Sequence, residues 1–179
     1  INVNKKNLGY GANIKKCLNF AFKKEVDYAV MLHGDNQYNP KYLKFMLETL
    51  SNKKNIAAVS GSRMFKKMEA LKGKMPLYKF IGNIVLTKLF NFLYNTNYTD
   101  CHTGYWAYNL KIIKKNFFKK ADNNFCFDID MRLILTSNNL TIKETPIETI
   151  YGTERSSIHF IYAIRFFLKV FKYKLFRKV

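Results

Sequence analysis

The chain has 179 residues, 48% hydrophobic and 24% charged, which is long and apolar enough for one domain with a real core and excludes a disordered chain. Its formal charge of +19, from 31 Lys and Arg against 12 Asp and Glu, calls for anionic partners: phosphorylated small molecules, an acidic membrane surface or nucleic acid. Three cysteines, Cys17, Cys101 and Cys126, form an odd set without CxxC spacing, which excludes a zinc ribbon and suits reduced thiols in the cytoplasm.

No run of about 18 uncharged apolar residues occurs, so no transmembrane helix is expected, and the N-terminus lacks the apolar core of a secretory signal. The protein is therefore expected to be cytoplasmic. It opens on Ile1 rather than methionine and continues with the polar run Asn2 to Asn7, which reads as residues missing upstream. From Ile14, the positions Ile14, Cys17, Leu18, Ala21 and Phe22 follow the spacing of an amphipathic helix. Gly9 and Gly11 precede it; glycines there let backbone amides approach a phosphate, but Gly9-Tyr10-Gly11 is too short for a dinucleotide fingerprint and, taken alone, a simple turn is the commoner case.

Tyr28 to Leu32 is a buried-strand pattern, and it ends in His33-Gly34-Asp35-Asn36-Gln37. Asn39 and Pro40 signal the start of the next helix, whose Leu43, Met46, Leu47 and Leu50 share one face. In an open α/β sheet ligands bind beyond the carboxyl ends of the strands, so the alternating His33, Asp35 and Gln37 fall where a site is expected. Ile56 to Val59 reads as a second strand delivering Gly61, Ser62 and Arg63 to the same edge; a solvated surface charge is the plain alternative for Arg63.

Residues 66 to 74 lack periodicity and read as a mobile lid-like loop. Pro76 then opens a helix, with Leu77, Phe80, Ile81, Ile84, Val85, Leu89, Phe92 and Leu93 at helical spacing. Asp100 to Trp106 is a small-residue turn flanked by aromatics and leading into a strand at Ala107-Tyr108. The single Trp106 suits a sugar-binding surface, but a core position is the commoner case. Asp128 and Asp130 stand two apart at the start of a helix, as acid–base candidates or as plain helix-dipole partners. Thr141 to Ile147 reads as a strand and 151 to 157 as a loop.

The last helix carries an apolar stripe (Phe160, Ile161, Ile164, Leu168, Phe171, Leu175), a basic one (Arg165, Lys169, Lys172) and an aromatic one (Tyr162, Phe166, Tyr173). Two greasy faces need two partners: the domain on one side and a membrane interface on the other, or an absent segment or subunit. The lysines are scattered, with no recognition helix or RNP-like strand, so no specific nucleic acid is expected.

In order, these stretches resemble the family 2 glycosyltransferases, especially the polyprenyl-phosphate sugar transferases related to dolichol-phosphate mannosyltransferase. The resemblance rests on Asn7-Leu8-Gly9-Tyr10-Gly11-Ala12, similar to Asn-x-Gly-x-Gly-x-Ala; on His33 to Gln37, at the Asp-x-Asp-x-Gln metal motif; on Gly61-Ser62-Arg63; on Thr103-Gly104-Tyr105; and on Ile142 to Ile147, similar to Ile-x-Glu-x-Pro-Ile. It implies an α/β fold of the GT-A, Rossmann-like type, a mixed sheet flanked by helices, over residues 1–156; the striped last helix, read from its own pattern, is expected as an amphipathic membrane-interface helix over 157–179. The resemblance also implies a nucleotide-sugar donor, inversion at the anomeric carbon, and a polyprenyl phosphate or related glycan acceptor.

Carried over, the resemblance implies metal ligation by Asp35 with Gln37 and His33; His33 stands where the family has its first aspartate and tilts the expected divalent ion from Mg2+ toward Mn2+. Gly9, Gly11, Arg63 and Lys79 would bind donor or acceptor phosphates. A lipid phosphate needs no protein base, whereas a sugar hydroxyl would use Asp128 or Asp130, with Asp100 behind them. Family members also begin with a base-holding strand and an Asp-Asp-x-Ser strand that this sequence lacks, so the catalytic domain is expected to be partial. The expectation is an inverting transferase peripheral on a membrane; the alternative is an inactive fragment that binds acidic lipid or nucleic acid.

Overall fold

The computed structural model describes residues 4–52, 55–151 and 161–176. In chain order the elements are α1 (Tyr10–Lys23), β1 (Tyr28–Met31), α2 (Tyr42–Asn52), β2 (Ile56–Ser62), α3 (Lys67–Lys72), α4 (Leu77–Tyr94), β3 (Trp106–Asn109), α5 (Lys115–Lys119), α6 (Phe127–Ser137), β4 (Thr141–Pro146) and α7 (Ile161–Phe176). The four strands form one mixed sheet in the order β1-β3-β2-β4, with β3 antiparallel to both neighbours and β2 parallel to β4. β1, β2 and β4 therefore run the same way, and their carboxyl ends meet the start of β3 at one edge.

Alternation along β3 sorts the core. Trp106 and Tyr108 face one side, against Leu18 of α1, Phe118 of α5 and Phe127 and Met131 of α6. Tyr105 and Ala107 face the other, against Met46 and Leu50 of α2. β2 is buried throughout, and the small residues Ala57, Ala58, Ser60, Gly61 and Ser62 let both layers close on it. A third cluster, with Phe90, Leu133, Phe166 and Val170, joins α4, α6 and α7, so α7 is packed into the fold. Trp106 is fully buried, the commoner of its two readings.

Two stretches differ from expectation. Residues 66–74 are not a free loop: they hold the short helix α3, and Met64, Ala70 and Met75 are buried together. A side chain at Gly73 would collide with the Thr149 carbonyl, so this segment is pinned to the chain after β4. A helix of six residues burying one alanine leaves no periodicity to read. At α2, the Asn39 side chain accepts from the Lys41 amide at 2.9 Å and Leu43 donates to the Pro40 carbonyl, so a separate turn delays the helix to Tyr42. Among the described residues no helix is long and apolar enough to cross a membrane. Residue Phe160 and most of the 151–157 loop lie outside the described residues.

Candidate functional site

A cleft of about 1760 Å³ opens at the sheet edge where β1, β2 and β4 end. Its walls differ in how their charges are held.

One wall is built on Arg63, just past β2. Its guanidinium grips Asp100 in a fork, Nε to Oδ2 at 2.7 Å and Nη2 to Oδ1 at 2.9 Å, and Nη1 donates to the Tyr151 hydroxyl at 3.0 Å. Asp100 is fully buried and also accepts from the Asn83 side chain at 2.8 Å and the His102 amide at 2.9 Å. Burial alone would raise its pKa, but Arg63 and these donors hold it well below the usual carboxylate range. Glu144 of β4 fixes the turn by accepting from the Thr99 and Asp100 amides. Lys79, in the first turn of α4, lies 5.6 Å from the Tyr151 ring centre, and burial beside Arg63 lowers its pKa. No carboxylate among the described residues pairs with it. The His102 ring meets Phe166 of α7 at a tilt of 43°, centres 4.6 Å apart, and its pKa is pushed down to about 4 by burial, so it is neutral at pH 7.

The opposite wall is a relay. Tyr10 donates its hydroxyl to Asp128 Oδ2 at 2.7 Å and lies 3.1 Å from His33 Nε2. Burial pushes Asp128 up to about 7, opposed by the Tyr10 hydrogen bond and by Arg132 and Arg63; its Oδ1 is buried without a partner. Burial beside Asp128 raises the Tyr10 pKa, so the phenol stays protonated. When Asp128 is ionised it accepts the hydrogen bond from Tyr10's one O–H. His33 Nε2 must then be the donor to the phenol oxygen, leaving the Nδ1 lone pair free. Nδ1 lies 4.0 Å from Asp35 Oδ2. The imidazole sits where a side chain on Gly104 would be, so Thr103-Gly104-Tyr105 is glycine at its centre to admit His33.

Among the described residues no group of three His, Cys, Asp or Glu side chains could hold a metal ion. Two ligands of one ion stand about 3–4 Å apart, so His33 Nδ1 and Asp35 Oδ2 are spaced as two protein ligands, with the rest of a coordination shell left to groups from outside the chain. Gln37 lines the cleft on the same loop, its backbone N–H donating to Asp35 Oδ1 at 3.1 Å.

The other candidates divide. Asp130 turns away from the cleft and is tied to Lys169 of α7 at 2.7 Å, so the base expected there is a structural tie. Asp100 is consumed by Arg63 and is an anchor rather than a base. Gly11 packs against the 122–124 backbone, where any Cβ would collide, and it does not line the cleft. Gly9 lines the cleft with φ 84°, but its amide already donates to Asn7 Oδ1 at 2.8 Å. Tyr10, His102 and Arg132 were not anticipated. Arg132 of α6 is fully buried between the Tyr98 and Trp106 rings and donates to Ser60 Oγ and the Asp100 carbonyl. Its spacing of four from Asp128 was the available signal.

The family model for glycosyl transferase family 2 matches residues 1–117. An uncharacterized protein of Methanocaldococcus jannaschii is 27% identical over 145 residues, 81% of this chain and 58% of that protein. The UDP-N-acetylglucosamine–dolichyl-phosphate N-acetylglucosaminyltransferase of Methanococcus voltae is 28% identical over 145 residues, 81% of this chain and 57% of that protein. The chain thus spans less than two thirds of the length of these curated relatives. Among solved structures, glucosyl-3-phosphoglycerate synthase from Mycobacterium tuberculosis superposes with a TM-score of 0.62 in its UDP complex, at 11% identity over 96% of this chain and 57% of that one. Its phosphoglyceric acid complex gives the same score at 12% identity, over 96% and 56%.

Proposed function

Because the chain belongs to glycosyl transferase family 2 and has the GT-A fold, we propose that its cleft serves an inverting transfer of a sugar from a nucleotide-sugar to a phosphate on a polyprenyl lipid. The observation that carries this reading is the Arg63 wall, where Asp100 is spent on Arg63 while Lys79 has no carboxylate partner among the described residues, leaving a net positive charge facing the opening. That charge suits a phosphate acceptor, and the name of the Methanococcus voltae relative, a dolichyl-phosphate transferase, supports the choice.

A lipid monophosphate, with a second pKa of roughly 6, is largely dianionic at pH 7. Its oxygen attacks the anomeric carbon as the bond from that carbon to the donor diphosphate breaks, and no proton has to move. Arg63 and Lys79 orient the nucleophile, and neutral His102 and the Phe166 ring keep water from that end of the cleft. With a glycan hydroxyl as acceptor, Asp128 would take the proton, its pKa near 7 being well placed for a base. A divalent ion, Mn2+ or Mg2+, held by His33 and Asp35 with Gln37 beside them, would supply Lewis-acid stabilisation to the leaving diphosphate. The free cysteines fit a cytoplasmic site of action, with the protein peripheral on an anionic membrane.

The test is calorimetric titration of UDP-sugars into the chain with Mn2+ and then with chelator. Metal-dependent binding is expected, weakened at least tenfold in Asp35→Ala with an unchanged melting temperature. Equal binding by the variant would refute the metal assignment. Failure of an upstream-extended chain to bind any nucleotide-sugar would sink the donor reading.

A further inference from the structure

The helices that line the cleft also expose much of the molecule's apolar surface. α4 turns Asn83, Thr87 and Phe90 inward and presents Tyr78, Ile81, Val85 and Phe92 outward at helical spacing, Phe92 being 84% exposed. α7 buries Phe166 and Val170 and presents Ile164, Leu168 and Leu175, the last 70% exposed. The two lie side by side: both inner faces enter the same core cluster, and the Tyr94 hydroxyl donates to the Val170 carbonyl at 2.9 Å. Their outer faces thus form one surface, larger than scattered exposed residues account for.

Neither helix contains an Asp or Glu, while α4 carries Lys79 and Lys88 and α7 carries Arg165, Lys169, Lys172 and Lys174. Among the described residues, Lys169 alone of these cations is ion-paired, to Asp122 and Asp130. We propose that the outer faces of α4 and α7 together seat the protein on an anionic lipid bilayer, with the cleft mouth opening along the membrane surface. The apolar rows enter the headgroup boundary and the flanking cations meet lipid phosphates. A second copy of the chain suits this surface poorly, because a symmetric interface would set two acid-free, basic faces against each other.

The cleft shares its rim with this surface. Tyr78, Lys79 and Gly82 of α4 and Tyr162 and Ala163 of α7 line it, as does Ile150, itself 73% exposed. A phosphate rising from the bilayer passes these residues to reach Lys79 and Arg63. The inference deepens the lipid-phosphate reading and rests on it for its purpose.

The test is flotation of the 179-residue chain with phosphatidylcholine vesicles, with and without about one-third phosphatidylglycerol. Binding is expected to the anionic vesicles and at least tenfold weaker to the neutral ones. Val85→Asp with Phe92→Asp on α4, and Ile164→Asp with Leu168→Asp on α7, should each lower it at least tenfold without changing the melting temperature. Should either pair unfold the chain, Phe92→Ser and Leu168→Ser, at outward positions, carry the same expectation in milder form. Undiminished binding by the α4 variants, equal binding to neutral vesicles, or a dimer in solution that these variants dissociate would each overturn the proposal. Transfer to a short, water-soluble prenyl phosphate separates the two ideas: transfer without vesicle binding overturns the docking surface and leaves the function standing, and vesicle binding without transfer by an upstream-extended chain does the reverse.

Discussion

The two walls of the cleft handle buried charge in opposite ways. On one, Asp100 is fully buried but gripped by a two-pronged guanidinium, an amide side chain and a backbone N–H, so its ionised form is locked in. On the other, Asp128 is buried with one phenol hydroxyl on Oδ2 and nothing on Oδ1, so its proton is held up to about pH 7. Carboxylates of the same ordinary strength end up on opposite sides of it because one has a cation at contact and the other does not. The first wall is a fixed frame that presents positive charge; the second can gain and lose a proton near neutrality.

The largest expected effect breaks the frame. Asp100→Asn leaves Arg63, only 12% exposed at its side chain, with the Tyr151 hydroxyl and no counter-charge. Removing one partner of a buried pair costs on the order of 3–5 kcal/mol, which urea denaturation at pH 8 would register. Asp128→Asn should cost nothing at pH 8 or stabilise the fold, since it removes a poorly solvated charge. Equal losses from the two variants would erase the contrast between the walls. For Asp100 the folded pKa is depressed, so its contribution is present above the ordinary carboxylate range and lost as pH falls through and below it.

A smaller effect separates the walls by pH. Asp128 is raised from 3.8 to about 7, so the native state holds its proton more tightly; its contribution is present below about pH 4 and is lost as pH rises through 7. His102 is lowered from 6.5 to about 4, so its contribution is present above pH 6.5 and is lost as pH falls toward 4. The two slopes oppose each other between pH 4 and 7. Asp128→Asn should therefore unmask a stability that climbs with pH over this window, and His102→Gln one that declines, each by on the order of 2–4 kcal/mol. Thermal melts at half-unit pH steps would show it; parallel profiles for both variants would refute the assignment.

Much of this frame was legible in the sequence, and the gaps have physical causes. Tyr28 to Met31 and Ile56 to Val59 were legible as short apolar runs, β2 being buried throughout, and α4 was legible by its period although much of that apolar row faces outward; Arg63 directly follows β2 and Asp35 lies in the loop just after β1. α3 and α5, of six and five residues, are too short to display a period. The division of Asp128 from Asp130 was not readable: two positions on a helix differ by about 200°, so one carboxylate enters the cleft and the other meets Lys169, a residue 39 positions away. Tyr10 was hidden in the glycine motif, its neighbours drawing attention to backbone approach while its hydroxyl reaches Asp128, 118 residues on. The aromatic stripe of the last helix proved to be its inward face, and the apolar stripe the exposed one.

Tyr10→Phe gives the smallest effect and probes the second wall most directly. Removing the hydroxyl costs Asp128 its one hydrogen bond and leaves His33 Nε2 without an acceptor, at about 1 kcal/mol of stability. The Asp128 midpoint should climb above 7, because that hydrogen bond is the largest influence holding it down. Free of the phenol, the imidazole no longer has its proton fixed on Nε2, so the lone pair facing Asp35 is lost from part of the population. Losing a partner that orients a ligating histidine weakens metal binding by about tenfold or more. Mn2+ titration followed by electron paramagnetic resonance would read that loss, with carbon-13 titration of the Asp128 carboxyl reading the proton. A shifted Asp128 midpoint with undiminished Mn2+ binding would keep the hydrogen bond but disconnect it from His33, making the phenol a support for the carboxyl alone.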